Sequence, residues 1–266
     1  MTPHWSEQRG ALKAWLLTNL RVLIGCDFDG TLAPLVDFAG DACLPAATRA
    51  VLQRLISLKG VTLAFISGRP LDDLLLRVGL AGAFYAGNHG LEIAGLDGKA
   101  IVAPGAVDSM PMLRAVKTEL TRQMAQLAGV WIEDKELTFS VHYRLADPAC
   151  HAEIEERVRQ GVAEAGSSLV ARSGKLVWEI RPANAWDKGA ALRLFMQHLQ
   201  LPSSAAAFIG DDTTDRDAFR ELPDGWTFYV GDGAGTDSRA NLRDVEDCAE
   251  LLEWIADARG GSPALH

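Results

Sequence analysis

Apolar and polar positions divide the chain into short, nearly continuous hydrophobic runs and longer stretches with helical periodicity. Residues 22–26, Val-Leu-Ile-Gly-Cys, carry no charge and are rich in β-branched side chains, which predicts a strand buried on both faces. The same logic predicts strands at 61–66 and 83–86, with helices between them at 45–59 and 70–78. An amphipathic helix over 5–20 precedes them. The pattern then changes. Residues 91–102 read as a hairpin around Asp97-Gly98, followed by a helix over 106–127, strands at 130–133 and 137–143, a helix at 148–165, and strands at 169–172 and 176–180 around Ser173-Gly174. Alternation of helix and strand returns with a helix at 188–199, a strand at 205–209, a helix at 214–221, a strand at 226–230 and a helix at 245–258. Only 259–266 reads as a frayed tail.

This order predicts an α/β fold with a parallel sheet covered by helices, interrupted by a smaller α+β unit with antiparallel strands. The predicted division is a core of 1–108 and 183–266 and an insert of 109–182.

Composition narrows the function classes. The 266 residues are 48% hydrophobic and 23% charged, which suits a globular chain with a large core. A formal net charge of −9 speaks against a general nucleic-acid or anionic-membrane surface, and no apolar run is long enough for a membrane span. Cys26, Cys43, Cys150 and Cys248 form no paired motif, which predicts reduced thiols and a cytoplasmic location.

In open α/β sheets, ligands bind beyond the carboxyl ends of the strands. Three polar clusters follow predicted strands: Asp27 to Thr31, Ser67-Gly68-Arg69, and Gly210-Asp211-Asp212-Thr213-Thr214-Asp215. Asp27 and Asp29 are two residues apart and point the same way in extended chain, so they can serve metal binding, acid–base work or both. Alone, such a pair is also what a solvated strand end looks like. Together, Asp27, Asp29, Asp211 and Asp212 would place up to four carboxylates in one pocket, a cost that a hard divalent cation, Mg2+, would relieve. Asp211 is the expected ligand and Asp212 a direct or water-mediated one. Asp215 reads as a first-turn helix residue in a supporting role. The Ser67 hydroxyl, the backbone at Gly68, the Arg69 guanidinium and the Thr31 hydroxyl are suited to a phosphate, and Lys188 can neutralise transferring oxygens. The expected chemistry is phosphoryl transfer through Asp27 as nucleophile, with Asp29 as general acid and then base.

Asp27-Phe28-Asp29-Gly30-Thr31-Leu32, with Ser67, Lys188 and Gly210-Asp211-Asp212 in that order, resembles the four motifs of the haloacid dehalogenase (HAD) superfamily. That resemblance implies a HAD-like Rossmannoid core, a C2-type cap as the inserted domain, and Mg2+ held by Asp27, the Asp29 backbone carbonyl, Asp211 and Asp212. The further motifs Ser67-Gly68-Arg69, Asn88-His89-Gly90-Leu91-Glu92, Val141-His142-Tyr143-Arg144 and Gly174 to Pro182 resemble trehalose-6-phosphate phosphatases. This implies a sugar-phosphate substrate, a substrate-side role for His89, and recognition of glucosyl hydroxyls by Glu133, Lys135, Arg144, Lys175 and Glu179 of the cap. It also implies a functional pairing with a trehalose-phosphate synthase. The alternative is a HAD phosphatase for sucrose phosphate, mannosylglycerate phosphate or a hexose phosphate. A non-catalytic sugar-phosphate module is disfavoured, because Asp27, Asp29 and Lys188 are all kept.

Overall fold

The computed structural model describes residues 2–96, 100–174, 176–183, 186–232 and 237–261. Along the chain run α1 (Arg9–Thr18), β1 (Val22–Cys26), α2 (Ala46–Ser57), β2 (Val61–Ile66), α3 (Leu71–Val78), β3 (Phe84–Gly87), β4 (Glu92–Ala94), β5 (Ile101–Val102) and α4 (Met110–Met124). They are followed by β6 (Trp131–Asp134), β7 (Phe139–His142), α5 (His151–Glu164), β8 (Leu169–Ser173), β9 (Val177–Pro182) and α6 (Lys188–Leu199). Then come β10 (Ala206–Gly210), α7 (Asp215–Arg220), β11 (Trp226–Val230), β12 (Ala240–Leu242) and α8 (Val245–Gly260).

The chain divides into two compact units, one of Met1–Ile101 with Trp186–His266 and one of Val102–Ala185. The second begins earlier and ends later than the predicted 109–182.

In the first unit, the described strands form an eight-stranded sheet in the order β12-β11-β10-β1-β2-β3-β4-β5. Pairing is parallel from β12 through β3, and β4 returns antiparallel to β3 after the tight turn at Asn88–Gly90. The central strands are buried along their length, as their unbroken apolar runs require. Val22, Ile24 and Cys26 pack with α1, α2, α3 and α8, whereas Leu23 packs with α6 and α7 on the other face. Gly25 leaves room for the Phe208 ring, since a Cβ there would lie 2.6 Å from Phe208 Cδ2.

Several elements differ from the sequence reading. The first predicted helix splits into a 3-10 turn, Trp5–Gln8, and α1; His4 caps the turn, and the preceding Pro3 is anchored by β12, whose Asn241 N–H donates to Pro3 O. β12 was not predicted; three residues leave too short a pattern. The last helix runs on to Gly260, into the stretch read as tail, and 262–266 lie outside the described residues. So does the predicted Asp97-Gly98 turn.

The second unit is a four-stranded antiparallel sheet in the order β6-β7-β9-β8. Phe139, Val141, Trp178 and Ile180 face one side and form a core with Leu113, Val116 and Leu120 of α4 and Ile154 and Val158 of α5. The alternate residues of the same strands are largely polar and face away from those helices. Among the described residues, no helix is long and apolar enough to cross a membrane.

Candidate active site

Parallel register brings the first acidic residues together. Cys26 of β1 lies opposite Ile209 of β10, so Asp27 and Asp211 emerge side by side beyond the strand ends. The Asp27 N–H donates to Ile209 O at 2.9 Å, tying the two exits together. On the other side of β1, Ser67 leaves the end of β2.

Asp27, Asp211 and Asp215 are all buried, and one carboxylate oxygen from each lies within 4.8 Å of the others. Lys188, the first residue of α6 and only 2% exposed, reaches into this cluster. Its Nζ is 3.1 Å from Asp27 Oδ1 and donates to Asp215 Oδ1 at 2.7 Å. Asp187 caps the helix by accepting the Ala190 N–H, which fixes where Lys188 starts.

Burial alone would make Lys188 lose its proton more readily. The flanking Asp215 and Asp27 carboxylates outweigh this and hold the ammonium above its ordinary range. For Asp27, burial first, then Asp215, Asp211 and Asp29, push the carboxyl well above the usual range, with Lys188 opposing them. One ammonium among three buried carboxylates therefore leaves a deficit of positive charge. An all-oxygen donor set in that state fits a hard divalent cation such as Mg2+.

Gly30 has φ +79°, and a Cβ there would collide with the Asp211 carboxylate, so the turn after Asp29 needs glycine for both conformation and space. Thr31 is fully buried, with Oγ1 3.5 Å from Asp211 Oδ1. Gly210 likewise lets Asp215 fold back against the end of β10, where its Oδ2 accepts the Asp212 N–H at 2.9 Å.

Sequence reasoning undervalued Asp215. It does open α7, but the compact turn before it, with Asp215 N–H donating to Asp212 O, swings its side chain inward onto Lys188. Asp212 instead accepts its own neighbour's Thr213 N–H at 2.7 Å and does not belong to the cluster of three. The signal available was the repeated Asp of Gly210 to Asp215, in which any of three could be the inward one.

Asp29 and Arg69 are engaged with each other. Arg69 Nε donates to Asp29 Oδ2 at 2.7 Å and Nη2 to Oδ1 at 2.6 Å, a bidentate pair. Arg69 also donates to Asp73 Oδ2 and Ala39 O, and Asp73 in turn accepts from Arg77. Burial works against the Asp73 carboxylate, yet these two arginines hold it below its ordinary range.

Ser67 is buried, and its Oγ accepts the Arg69 N–H at 3.3 Å. The loop it opens is pinned by the segment after β3. Asn88 N–H donates to Arg69 O, His89 N–H to Ser67 O, and Glu92 accepts from both Leu71 N–H and Asn88 Nδ2. Asn88 and His89 both have positive φ, +47° and +56°, an uncommon strain for two consecutive non-glycine residues. It brings the His89 ring over Gly68, where a Cβ would lie 2.6 Å from Nε2.

In the second unit, Glu133 and Lys135 of the β6 hairpin share a face with Glu179 of β9, and Lys135 Nζ lies 3.2 Å from Glu179 Oε2 and 3.9 Å from Glu133 Oε2. Ser140 and His142, both absent from the predicted set, complete the row by bonding Glu179 and Glu133. Arg144 does not share this strand: β7 ends at His142, and Arg144 sits in an exposed turn closed by Ala146 N–H donating to Tyr143 O. Lys175 lies outside the described residues.

A family model described as Trehalose-phosphatase matches residues 26–231, from the end of β1 to the turn after β11. The chain belongs to the trehalose-phosphatase family. Within it, the chain is 36% identical over 262 residues to a trehalose-phosphate phosphatase of Mycobacterium marinum, covering 94% of this chain and 66% of that protein. It spans between about half and two-thirds of the length of the curated relatives it matches. Among solved structures it resembles the C-terminal domain of Candida albicans trehalose-6-phosphate phosphatase, with a TM-score of 0.86 at 22% identity over 96% of this chain and 98% of that one. It also resembles a haloacid dehalogenase-like hydrolase from Bacteroides thetaiotaomicron, with a TM-score of 0.65 at 17% identity over 88% of this chain and 99% of that one. The parallel core with an inserted antiparallel unit is thus the HAD-like fold.

Proposed function

We propose that this member of the trehalose-phosphatase family hydrolyses trehalose 6-phosphate to trehalose and phosphate. The observation that carries the reading is the buried Asp27–Lys188–Asp215–Asp211 cluster at the carboxyl end of the sheet. The substrate assignment draws on the M. marinum relative and the cap-like insert.

In this reading an Asp27 oxygen attacks phosphorus, the bond to the sugar oxygen breaks, and phosphate is held as an acyl phosphate on Asp27. Lys188 neutralises developing negative charge and keeps Asp27 oriented. Asp29 donates a proton to the departing sugar oxygen, then takes one from the water that hydrolyses the acyl phosphate. Both Asp29 oxygens are bonded to Arg69 in the present arrangement, so this role requires that pair to open. A substrate phosphate is an anion that can take Asp29's place on the guanidinium. Ser67, the Gly68 backbone, Thr31 and His89 line the same rim and bind the phosphoryl group or the substrate. Asp27, Asp211 and Asp215 would hold Mg2+ together with the Asp29 carbonyl, and Asp212 would act through water. Bound there, Mg2+ would supply charge neutralisation for the phosphoryl oxygens.

Residues 109–182 act as the substrate-specificity domain, with Glu133, Lys135, Arg144, Lys175 and Glu179 recognising sugar hydroxyls. The enzyme works in the cytoplasm and consumes the product of a trehalose-phosphate synthase. The test is phosphate release by the purified chain against trehalose 6-phosphate, sucrose phosphate, mannosylglycerate phosphate and glucose 6-phosphate, with Mg2+ or EDTA. Preference for trehalose 6-phosphate, lost in EDTA, is expected; equal or better turnover of the others overturns the substrate assignment.

A further inference from the structure

The polar face of the β6-β7-β9 sheet carries a feature that the hydroxyl-recognising carboxylates do not account for. Register sets Trp131 opposite His142, Glu133 opposite Ser140, and Ser140 opposite Glu179. Trp131 and His142 stack face to face, with ring centroids 4.7 Å apart and planes 9° from parallel. The same imidazole reaches sideways, His142 Nε2 lying 2.8 Å from Glu133 Oε2. One ring therefore both supports the indole and fixes a carboxylate.

The charged groups along this row are engaged with one another. Lys135 is shared by Glu133 and Glu179, Ser140 Oγ donates to Glu179 Oε2 at 2.7 Å, and His142 engages Glu133. Burial opposes the Glu133 carboxylate, but His142 and Lys135 hold it below its ordinary range. Such a row is poorly suited to select an anion. It offers carboxylate acceptors and hydroxyl and ammonium donors on the same face of the sheet as an aromatic stack. A pyranose ring presents the complementary pair, an edge of hydroxyls and a face of C–H groups.

We propose that Trp131 and His142 are specificity-determining residues, the indole acting as the platform for the unphosphorylated glucose of the disaccharide and His142 positioning both the indole and Glu133. This rests on the trehalose 6-phosphate reading above. A purely structural stack would stabilise the sheet without affecting which sugar is preferred.

The test compares wild type with Trp131→Ala, Trp131→Phe and His142→Gln. The ratio of kcat/KM for trehalose 6-phosphate to that for glucose 6-phosphate is measured, along with the Kd of free trehalose by calorimetry. Losing an aromatic stack should lower the ratio by about 3- to 10-fold in Trp131→Ala, mainly through KM, and weaken trehalose binding by a similar factor. Trp131→Phe, which retains a ring and guards against misfolding of the alanine variant, should recover most of both. His142→Gln should lower the ratio as well. A selective wild type whose ratio and trehalose Kd survive Trp131→Ala overturns this proposal alone. So does an equal loss on both sugar phosphates. A wild type that does not distinguish the two sugar phosphates overturns the substrate reading, and this proposal with it.

Discussion

Lys188→Met removes one charge while keeping the length of the side chain, and the geometry fixes what should follow. The wild-type ammonium is 3.1 Å from Asp27 Oδ1 and 2.7 Å from Asp215 Oδ1, and the three side chains are 2%, 7% and 0% exposed. The variant leaves those two carboxylates and Asp211 buried without their cation. Removing one partner of a buried ion pair costs about 3–5 kcal/mol, because the other charge stays desolvated. At about 2–4 °C per kcal/mol for a chain near this size, the melting temperature in EDTA should fall by about 6–20 °C. The pH dependence has a definite sign. Burial and the neighbouring aspartates already raise Asp27 above its unfolded value, and loss of Lys188 raises it further. A carboxyl raised in the folded state supports folding below its unfolded pKa and loses that contribution as pH rises through the folded pKa. The deficit of the variant should therefore be greatest at about pH 7–8 and shrink toward about pH 4–5. Mg2+ should restore part of the loss by replacing the missing charge. Thermal unfolding followed by circular dichroism, with and without Mg2+ across that pH range, measures all three. A melting temperature within about 2 °C of wild type near neutral pH in EDTA, below what even 1 kcal/mol would cost, refutes the reasoning. So does a deficit that grows on acidification.

Other substitutions probe the nucleophile, the turn after Asp29 and the buried Asp247. Asp27→Asn should lower phosphate release by about 10³-fold or more, as loss of a nucleophile does; it should leave metal-free stability unchanged or higher, since it deletes a buried carboxylate, and differential scanning calorimetry checks this. Gly30→Ala forces a side chain into the Asp211 carboxylate at a positive φ; activity should fall at least about tenfold and stability by about 1–3 kcal/mol, read by turnover and denaturant titration. Asp247 is 1% exposed and accepts from Trp5 Nε1 at 2.8 Å, His4 Nε2 at 2.6 Å and Arg243 N–H at 2.9 Å. Burial works against its charge, but the Arg243 guanidinium, followed by Trp5, the Arg243 N–H and His4, holds its carboxyl far below the ordinary range. Asp247→Asn should cost about 2–3 kcal/mol at neutral pH; the wild-type contribution is present above about pH 4 and lost as pH falls through the depressed value, so the two proteins should converge in acid.

How far the chain could be read in advance depended on how local each signal is. The unbroken run at β1 and the aspartates just past it are visible without a structure, because a buried parallel strand needs continuous apolar residues and its carboxyl end is where ligands meet. The interrupted α/β order was equally visible, since the change from helix-strand alternation to antiparallel strands lies in the periodicity itself. Asp215 was not legible in its central role: whether Asp212 or Asp215 turns inward is decided by a turn that closes on Gly210. The Arg69–Asp29 pair spans 40 residues, and a motif reading assigns each partner to the substrate rather than to the other. Trp131 and His142 become neighbours only through the register of β6 with β7. The strand read as 137–143 ends one residue early, at His142, because nothing in Val-His-Tyr-Arg marks that end.

Transient phosphorylation of Asp27 is tested most directly by borohydride reduction of a rapidly quenched turnover mixture. An acyl phosphate at Asp27 would be reduced to homoserine, read by peptide mass spectrometry at that position, present with trehalose 6-phosphate and Mg2+ and absent in EDTA. Rapid phosphate release with Asp27 unmodified, or with another side chain reduced, would contradict it.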